Sequence, residues 1–161
     1  MTELCLCRDI NGDVHFVACN DLISRTSVYG LLDRGSHEVL MIRDRSAIEF
    51  WDLPGGGVEL GETRVEALFR EVQEETGLIL DEVIEEICHF VECFYDISTG
   101  AAWKSCRYFY VVHAAGELHP ARKNSDDVVD LKFLSTVWGS EKISPVSKSI
   151  VEMYYKRRDL R

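Results

Sequence analysis

The sequence predicts an α/β fold in which a β-sheet packs between helices. Strand-like apolar runs recur along most of the chain, and an amphipathic helix is expected over residues 63–76. A second helix is expected to begin at Ser144-Pro145. Strands interspersed with two helices favour a sheet that buries its faces beneath those helices. The 161 residues, 46% of them hydrophobic, suffice for a single domain, 1–161, with a hydrophobic core.

The first predicted element is a β-hairpin over residues 4–18. Asn11-Gly12 lies between two strand-like runs, and this dipeptide favours a two-residue hairpin turn because both positions tolerate positive φ. We therefore treat residues 1–24 as an N-terminal hairpin extension of the domain. Two further strands are predicted over 28–32 and 38–43, joined by a turn that contains Gly35 and Ser36.

A glycine-rich turn and a helix follow. Pro54 leads into three consecutive glycines, Gly55–Gly57, whose lack of side chains allows the backbone to approach a ligand closely. Thr63 is the predicted N-cap of the helix, with Glu66 completing a capping box, and Gly77 is the predicted left-handed residue after its end. The predicted buried arc of the helix comprises Val65, Leu68, Phe69 and Val72.

The second half of the chain predicts three more strands and the final helix. Residues 83–95 and 103–112 are long strand-like runs separated by a turn over 96–100, and residues 128–134 form a short strand. The last helix runs toward Tyr155 and ends in a basic cluster that complements the helix dipole. That cluster therefore needs no nucleic-acid explanation.

Composition excludes several classes of function. A net charge of −10 argues against a nucleic-acid-binding surface, because phosphate contacts need clustered Lys and Arg. No long apolar run indicates a signal peptide or a membrane span. The six cysteines form neither a CxxC pair nor a zinc-like spacing with His, so we expect free thiols in a reduced, cytoplasmic protein.

Three glutamates point to a cation site. Glu71, Glu74 and Glu75 stand at i, i+3 and i+4 and share one arc of the predicted helix. Carboxylates this close repel one another unless a cation lies among them, and such hard oxygen ligands suit Mg²⁺ or Mn²⁺. A solvated acidic helix face is the alternative. Arg70 lies one turn from Glu66 and from Glu74, where it can hold a glutamate in place by charge-assisted hydrogen bonds.

The segment 56–78 resembles the Nudix box at every defined position. The pattern is G-x5-E-x7-R-E-U-x-E-E-x-G-U, where U is a bulky apolar residue, and its nine fixed positions span 23 residues, about a seventh of the chain. The strand pattern around the box also looks like the family. The resemblance implies a Nudix-type α/β/α sandwich of mixed β-sheet between helices and a metal-dependent hydrolase that cleaves a pyrophosphate bond.

The resemblance also assigns roles to individual residues. Glu71, Glu74 and Glu75 match the family's metal ligands, Glu62 matches a position that helps to shape the site, and the main-chain carbonyl of Gly55 matches a further ligand. Arg70 is carried over as a catalytic and substrate-binding residue. The general base stays open, because family members draw it from the box or from a later loop. The acids of that loop are either additional ligands or solvated side chains; they are Glu117, Asp126 and Asp127.

Substrate choice lies outside the box. Tyr95 falls 17 positions after Leu78, where diadenosine polyphosphate hydrolases of the family often carry Tyr. It and Phe94 are predicted to stack on a base, although Tyr in a strand is often a packing residue. The resemblance therefore implies, as the expected substrate, a nucleoside diphosphate linked to another moiety. A nucleoside triphosphate sanitising enzyme, an inactive nucleotide-binding module and a prenyl diphosphate isomerase are the alternatives. Many members of the family are dimers, so a homodimer also stays open.

Overall fold

Eight strands and two helices build the protein, whose structure is a computed structural model that describes residues 2–119 and 127–160. The helices are α1 (Arg64–Thr76) and α2 (Pro145–Asp159). The strands are β1 (Leu4–Arg8), β2 (Val14–Ala18), β3 (Ile23–Leu31), β4 (Glu38–Asp44), β5 (Gly55–Gly57), β6 (Ile79–Asp96), β7 (Ala101–Ala115) and β8 (Val128–Ser135). Every predicted strand and both predicted helices are present, and several run longer than predicted.

The strands form two sheets. The larger has the order β2-β1-β6-β7-β3-β5, and it is mixed, because β1 pairs with β6 and β3 with β7 in parallel while its other pairs are antiparallel. The smaller sheet pairs β4 with β8. Although β3 and β4 are consecutive and joined by the predicted turn, they belong to different sheets.

The two helices cover opposite sides of this strand framework. On β7, residues Tyr110 and Val112 pack with buried side chains of α1, whereas Phe109 and Val111 pack with buried side chains of α2. Successive residues of a strand point to opposite faces, so one strand serves both cores. The predicted sandwich with a mixed sheet between helices is therefore confirmed. Neither helix of the described residues has the length and apolar composition needed to cross a membrane.

Helix α1 begins and ends as predicted, but its buried face differs in part. Thr63 and Glu66 form the reciprocal capping box, and Gly77 adopts the left-handed conformation with φ of 77°. Leu68 and Val72 are buried, whereas Val65 and Phe69 are exposed, so half of the predicted arc is wrong. The face toward the sheet is rotated toward Ala67 and the glutamates, as described below.

The N-terminal residues form the predicted hairpin, but its strands are joined by the five residues 9–13 and not by a two-residue turn at Asn11-Gly12. Two cysteines of this segment also contradict the expectation of free thiols. Cys5 and Cys19 form a disulfide that joins β1 to the residue after β2. The antiparallel register pairs Leu4 with Ala18, which brings the neighbouring Cys5 and Cys19 Cα atoms within 5.3 Å. Such a separation suits a disulfide. The expectation failed because it treated the cysteines as isolated core residues. The remaining cysteines are free.

The three glycines form a short strand instead of the predicted turn. Gly55–Gly57 pair antiparallel with Ser27–Tyr29 of β3. A Cβ atom at Gly55 would collide with the Val28 carbonyl oxygen and the Tyr29 backbone, so only glycine permits this pairing. The absence of side chains at these glycines therefore allows their backbone to lie close to β3.

Candidate functional site

The glutamates of α1 do not lie on a separate solvated face of the helix. At 100° per residue, Glu71 and Glu75 fall beside the buried Leu68, so they point into the space between α1 and the glycine strand β5. A Cβ atom on Gly56 would lie 2.5 Å from Glu71 Oε1, which shows how closely this carboxylate approaches β5. The helix thus uses one face both to pack against the sheet and to present two carboxylates.

Glu75 is held by the backbone of β5. The Gly55 amide donates a 2.7 Å hydrogen bond to Glu75 Oε2. Burial raises the pKa of Glu75 well above its usual value, and the neighbouring carboxylates of Glu71, Asp44 and Asp52 raise it further. Across the described residues no basic side chain lies within 4 Å of Glu75 to balance its charge. Glu75 is a recessed carboxylate without a counter-ion.

Arg70 joins the helix to the loop before it. Its guanidinium donates to Glu62 Oε1 at 2.6 Å, to Glu62 Oε2 at 2.9 Å and to the Gly57 carbonyl oxygen at 3.0 Å. It also lies 2.9 Å from Glu71 Oε1 and 3.3 Å from Glu74 Oε2. The hydrogen bonds from Arg70, helped by the Glu59 amide, lower the pKa of Glu62 to about 2. Arg70 therefore orients Glu71 and fixes the glycine strand relative to α1.

Burial acts differently on Glu71. Burial raises the pKa of Glu71, whereas the contact with Arg70 lowers it, and burial is the larger effect. The pKa of Glu71 is therefore shifted in the opposite direction from that of Glu62, although both carboxylates contact the same guanidinium. The two glutamates near β5, Glu71 and Glu75, are the ones whose negative charge the protein stabilises least.

A cavity of about 360 Å³ opens beside Glu75. The Gly55 and Gly56 backbone and Glu75 form one part of its wall, and Phe94 at the end of β6 forms another. The remaining wall residues are spread along the chain from the N-terminal hairpin to the start of α2. They are Arg8, Asp9, Ile10, Gly12, Arg25, Tyr29, Ile42, Asp44, Ser46, Ala47, Asp52, Leu53, Glu92, Asp96, Ile97, Arg107, Ser144, Pro145 and Val146.

Charged groups in this wall were missed at the level of sequence. Asp44 ends β4 and Asp52 lies just before the glycine strand, and both carboxylates are close enough to raise the pKa of Glu75. Arg25 on β3 acts in the opposite sense, because its charge lowers the pKa of Glu71. None of these residues has a characteristic spacing from the box.

Arg107 lies in the cavity wall between two aromatic rings. Its guanidinium carbon is 5.5 Å from the Tyr29 ring centroid and 5.6 Å from that of Phe94, and its Nη1 lies 3.0 Å from Glu92 Oε1. Its Nε is buried and has no hydrogen-bond partner among the described residues. This β7 residue therefore offers a donor beside an aromatic surface.

Phe94 and Tyr95 face opposite sides of β6. Phe94 lines the cavity, whereas the Tyr95 ring stacks on His15 of β2 with centroids 4.1 Å apart. Adjacent residues of a strand point to opposite faces, so the two predicted stacking residues cannot serve one ligand together. Arg70, predicted as a substrate contact, has its donors engaged by the protein as described above.

The later acids that the structure describes are not among the residues that line this cavity. In the described residues, neither Glu117 nor Asp127 lines the cavity. The Asp127 carbonyl accepts a 2.7 Å hydrogen bond from the Arg45 amide. Asp126 lies outside the residues that the structure describes. The placement of Glu117 and Asp127 therefore does not identify either residue as the general base.

The donor set fits a hard divalent cation. Glu71 and Glu75 supply carboxylate oxygens, and burial disfavours the charged form of Glu75, which has no basic side chain within 4 Å among the described residues. A bound cation would stabilise that charge. In the ranges 2–119 and 127–160, no three His, Cys, Asp or Glu side chains already converge in a metal-binding arrangement. The reason is visible at α1, where Arg70 holds Glu71 and Glu74 while Gly55 holds Glu75.

Comparison with known proteins identifies the family. A sequence model of the NUDIX domain matches residues 23–149, which is most of the chain and includes the whole box. The chain belongs to the Nudix family. Residues 4–18 of the hairpin precede the matched segment, which begins at the first residue of β3.

Individual relatives agree with this placement. The mouse 8-oxo-dGDP phosphatase NUDT18 is 36% identical over 91 residues, which cover 55% of this chain and 25% of the relative. The rat asymmetrical bis(5'-nucleosyl)-tetraphosphatase is 34% identical over 67 residues, covering 42% of this chain and 46% of the relative. These matches span a quarter to under half of the relatives' lengths.

A solved structure shows the same fold. The MutT NUDIX hydrolase of Burkholderia pseudomallei superposes with a TM-score of 0.64 and 23% identity over 81% of this chain and 98% of that one. At this level of identity the likeness concerns the fold alone. The Nudix fold, predicted from the box and the strand pattern, is therefore confirmed.

Proposed function

We propose that this protein is a Nudix hydrolase that cleaves the pyrophosphate bond of a nucleoside diphosphate linked to another moiety. The observation that carries the proposal is the cavity itself. It joins the Gly55–Gly56 backbone and the Glu75 carboxylate to the aromatic and cationic wall at Phe94 and Arg107. A diphosphate and an attached aromatic group need these two kinds of surface next to each other.

The chain's own residues position the reacting group. Arg70 keeps Glu71 against β5, and the Gly55 amide keeps Glu75 at the cavity wall. Both carboxylates are thereby held before a substrate arrives, so little reorganisation is needed during the reaction. Arg25 and Arg107 place positive charge at the cavity wall. Their guanidinium groups can stabilise the negative charge of a phosphate or of the leaving group by donating hydrogen bonds to it.

The proposed cofactor is Mg²⁺ or Mn²⁺, held by Glu71, Glu74, Glu75 and the Gly55 carbonyl. A bound divalent cation neutralises phosphate charge, polarises a phosphoryl oxygen and lowers the pKa of a bound water. Within this set, Glu71 and Glu75 should bind the cation most tightly, because both carboxylates are already buried away from water. Glu74 would have to exchange its 3.3 Å contact with Arg70 for the cation. Glu62 shapes the site through Arg70 instead of binding metal.

A sanitising activity toward oxidised nucleotides is the second candidate. It is favoured by the similarity to a mouse protein described as an 8-oxo-dGDP phosphatase, although that match covers only a quarter of the relative. The rat relative named as a tetraphosphatase supports a dinucleoside polyphosphate as a further substrate to test. Phe94, with Arg107 beside it, suits a base in either case.

Hydrolysis of a defined substrate panel tests the proposal. The panel contains ADP-ribose, a nucleotide sugar, a dinucleoside polyphosphate, the ordinary deoxynucleoside triphosphates and 8-oxo-dGDP, each with Mg²⁺, with Mn²⁺ and with a chelator. We expect metal-dependent release of a nucleoside monophosphate from at least one compound, identified by chromatography. Failure to cleave any of them, by protein whose circular dichroism and melting are those of a folded domain, would leave a nucleotide-binding module without catalysis.

A further inference from the structure

The N-terminal hairpin reaches the proposed active site although it precedes the segment matched by the Nudix domain. Four residues at its tip line the same cavity as Gly55, Gly56 and Glu75, namely Arg8, Asp9, Ile10 and Gly12. The hairpin joins the large sheet through β1, where Arg8 is paired with Phe94 of β6. The hairpin, which precedes the segment matched by the Nudix model, therefore completes the cavity wall next to Phe94.

The loop at this tip is held in one shape by Asp9. Its Oδ1 accepts hydrogen bonds from the Asn11 amide at 2.8 Å and from the Asp13 amide at 3.1 Å, and its Oδ2 lies 2.8 Å from His15 Nε2. Two backbone hydrogen bonds, Gly12 N to Asp9 O and Asp9 N to Asp13 O, close the turn. A loop with this many internal bonds loses little further entropy when a ligand binds.

The hairpin is also fixed to the rest of the molecule. The His15 ring stacks on Tyr95 at 4.1 Å, with the two ring planes only 11° apart. Cys7 is fully buried, and burial together with the neighbouring Cys93 of β6 raises the pKa of its thiol. At the far end of the hairpin the Cys5–Cys19 disulfide joins the two strands. Tyr95 does not line the cavity itself; it packs against His15, and His15 in turn contacts Asp9 in the loop that does.

We propose that the loop Arg8–Asp13 is a specificity element that binds the nucleoside part of the substrate; this inference rests on the proposed function. Ile10 supplies an apolar surface that faces the cavity together with Phe94 and Ile97. An aromatic heterocycle fits between such side chains, because both faces of a base prefer apolar or aromatic contacts. Arg8 adds a hydrogen-bond donor at the edge of the same surface.

Charge distribution favours a base over a second phosphate at this end of the cavity. Asp9, Asp96 and Glu92 all line this part of the wall, and within the described residues none of them belongs to the proposed metal set. A phosphate placed here would meet three carboxylates but only two guanidinium groups, and that of Arg107 is already paired with Glu92. The diphosphate is therefore assigned to the part of the cavity formed by the glycine strand and Glu75.

The test is a kinetic comparison of Ile10→Ala with Phe16→Ala. Phe16 lies on the same hairpin and is 67% exposed, but it does not line the cavity. For the best nucleotide substrate, Ile10→Ala should raise KM about tenfold, as expected from the loss of a contact of this size, with kcat within twofold of the parent. Phe16→Ala should change neither constant. Equal kinetics for the two variants would overturn the inference.

Two further measurements separate this inference from the proposed function. For a sugar diphosphate that has no base, Ile10→Ala should turn over with the parent's kcat/KM, because the contact it removes is unused. Calorimetric titration with a nucleoside monophosphate should show a Kd about tenfold weaker for Ile10→Ala than for Phe16→Ala. If no panel compound is hydrolysed but this difference in Kd appears, the hydrolase proposal fails and the base site stands. If hydrolysis is normal and the Kd values agree, the base site fails alone.

The loop's internal anchor provides an independent check. Asp9→Asn keeps the size of the side chain but weakens its bonds to the two amides and to His15. It should raise KM for a nucleotide with little change in kcat, as Ile10→Ala does, while leaving the base-free diphosphate unaffected. An equal loss on both substrates would mean that the loop merely supports the fold, and the specificity assignment would be withdrawn.

Discussion

The two walls of the cavity are built in different ways. On one side, the segment from the glycine strand β5 through α1 carries its functional groups within the 22 residues 55–76, and Arg70 links the parts of that segment by hydrogen bonds. On the other side, the hairpin tip, the end of β6 and Arg107 of β7 meet only through the sheet. The first wall is local in sequence, and the second depends on strand pairing.

This difference implies a division of labour. The local wall concentrates carboxylates that protein contacts hold but do not neutralise, which suits chemistry at a diphosphate. The assembled wall presents the aliphatic and aromatic side chains of Ile10, Phe94 and Ile97, which suits recognition of the group attached to the diphosphate. Changes in the local wall should therefore act on kcat, and changes in the assembled wall on KM.

The largest effect is expected for Glu75→Gln in the local wall. Glutamine can still accept the hydrogen bond from the Gly55 amide, so the fold should be retained while the negative charge is lost. We expect kcat to fall by about 10²–10³-fold. Glu152→Gln is the matched control, because Glu152 is an exposed glutamate of α2 with only a 4.0 Å contact to Lys148. Near-normal turnover and unchanged metal dependence in Glu75→Gln would remove it from the ligand set.

The second prediction concerns the assembled wall. Replacing Cys5 and Cys19 together by Ser opens a loop of 14 residues, and in the chain-entropy account such a crosslink stabilises the folded protein by about 2–3 kcal/mol. Urea denaturation should show a loss of this order. Because the hairpin holds the Asp9 loop, KM for a nucleotide should rise while kcat stays the same. A Cys88→Ser variant, which removes a free thiol, is the control. A fall in kcat with constant KM would contradict the division of labour.

The third prediction compares two adjacent glycines. A Cβ atom at Gly56 meets the Glu71 carboxylate at 2.5–2.8 Å, whereas one at Gly57 meets only the flexible end of Arg25 at 3.3 Å. Gly56→Ala should therefore displace Glu71 and lower kcat about tenfold, and Gly57→Ala should have a much smaller effect. Steady-state kinetics with saturating Mg²⁺ separates the two. If the two variants proved equally active, the position of Glu71 against β5 would not matter for turnover.

The fold was predictable because its determinants are local. The Asn11-Gly12 dipeptide, the capping box at Thr63 and the left-handed Gly77 each specify an element through neighbouring residues. Which strands pair with one another was harder to predict from the sequence. Nothing near β4 in the sequence indicates that it pairs with β8, about 90 residues later, instead of with β3. The Cys5–Cys19 disulfide was missed for the same reason, because it follows from the hairpin register.

The candidate site divides along the same line. The box predicted the glutamates and Arg70, but it could not predict that Glu71 and Glu75 share the buried face of α1, because that depends on which side of the helix meets β5. Arg107 and Ile10 carry no sequence signal at all, since each becomes relevant only when the sheet brings it to the cavity. Tyr95 illustrates the risk of spacing rules. Its position suggested a stacking residue, yet its partner in the structure is His15.

The smallest expected effect is on stability, and its pH dependence tests the charge state of Glu75. Burial raises the folded-state pKa of this acid above its unfolded value of about 4.3, so the metal-free protein is stabilised most when Glu75 is protonated. That stability is complete below the unfolded pKa and is lost as pH rises through the folded pKa. Gln cannot ionise and avoids this loss.

In chelator, Glu75→Gln should therefore melt roughly 2–4 °C above the parent at pH 8, a difference that corresponds to about 1 kcal/mol in a chain of this length. The difference should shrink toward zero as the pH is lowered to about 4. Adding Mg²⁺ should raise the melting temperature of the parent but not that of the variant, because the variant lacks the Glu75 carboxylate that is proposed to bind the cation. A difference in Tm that does not vary with pH would mean that Glu75 is as well solvated as an exposed glutamate. The local wall would then lack the poorly stabilised charge that distinguishes it from the assembled wall.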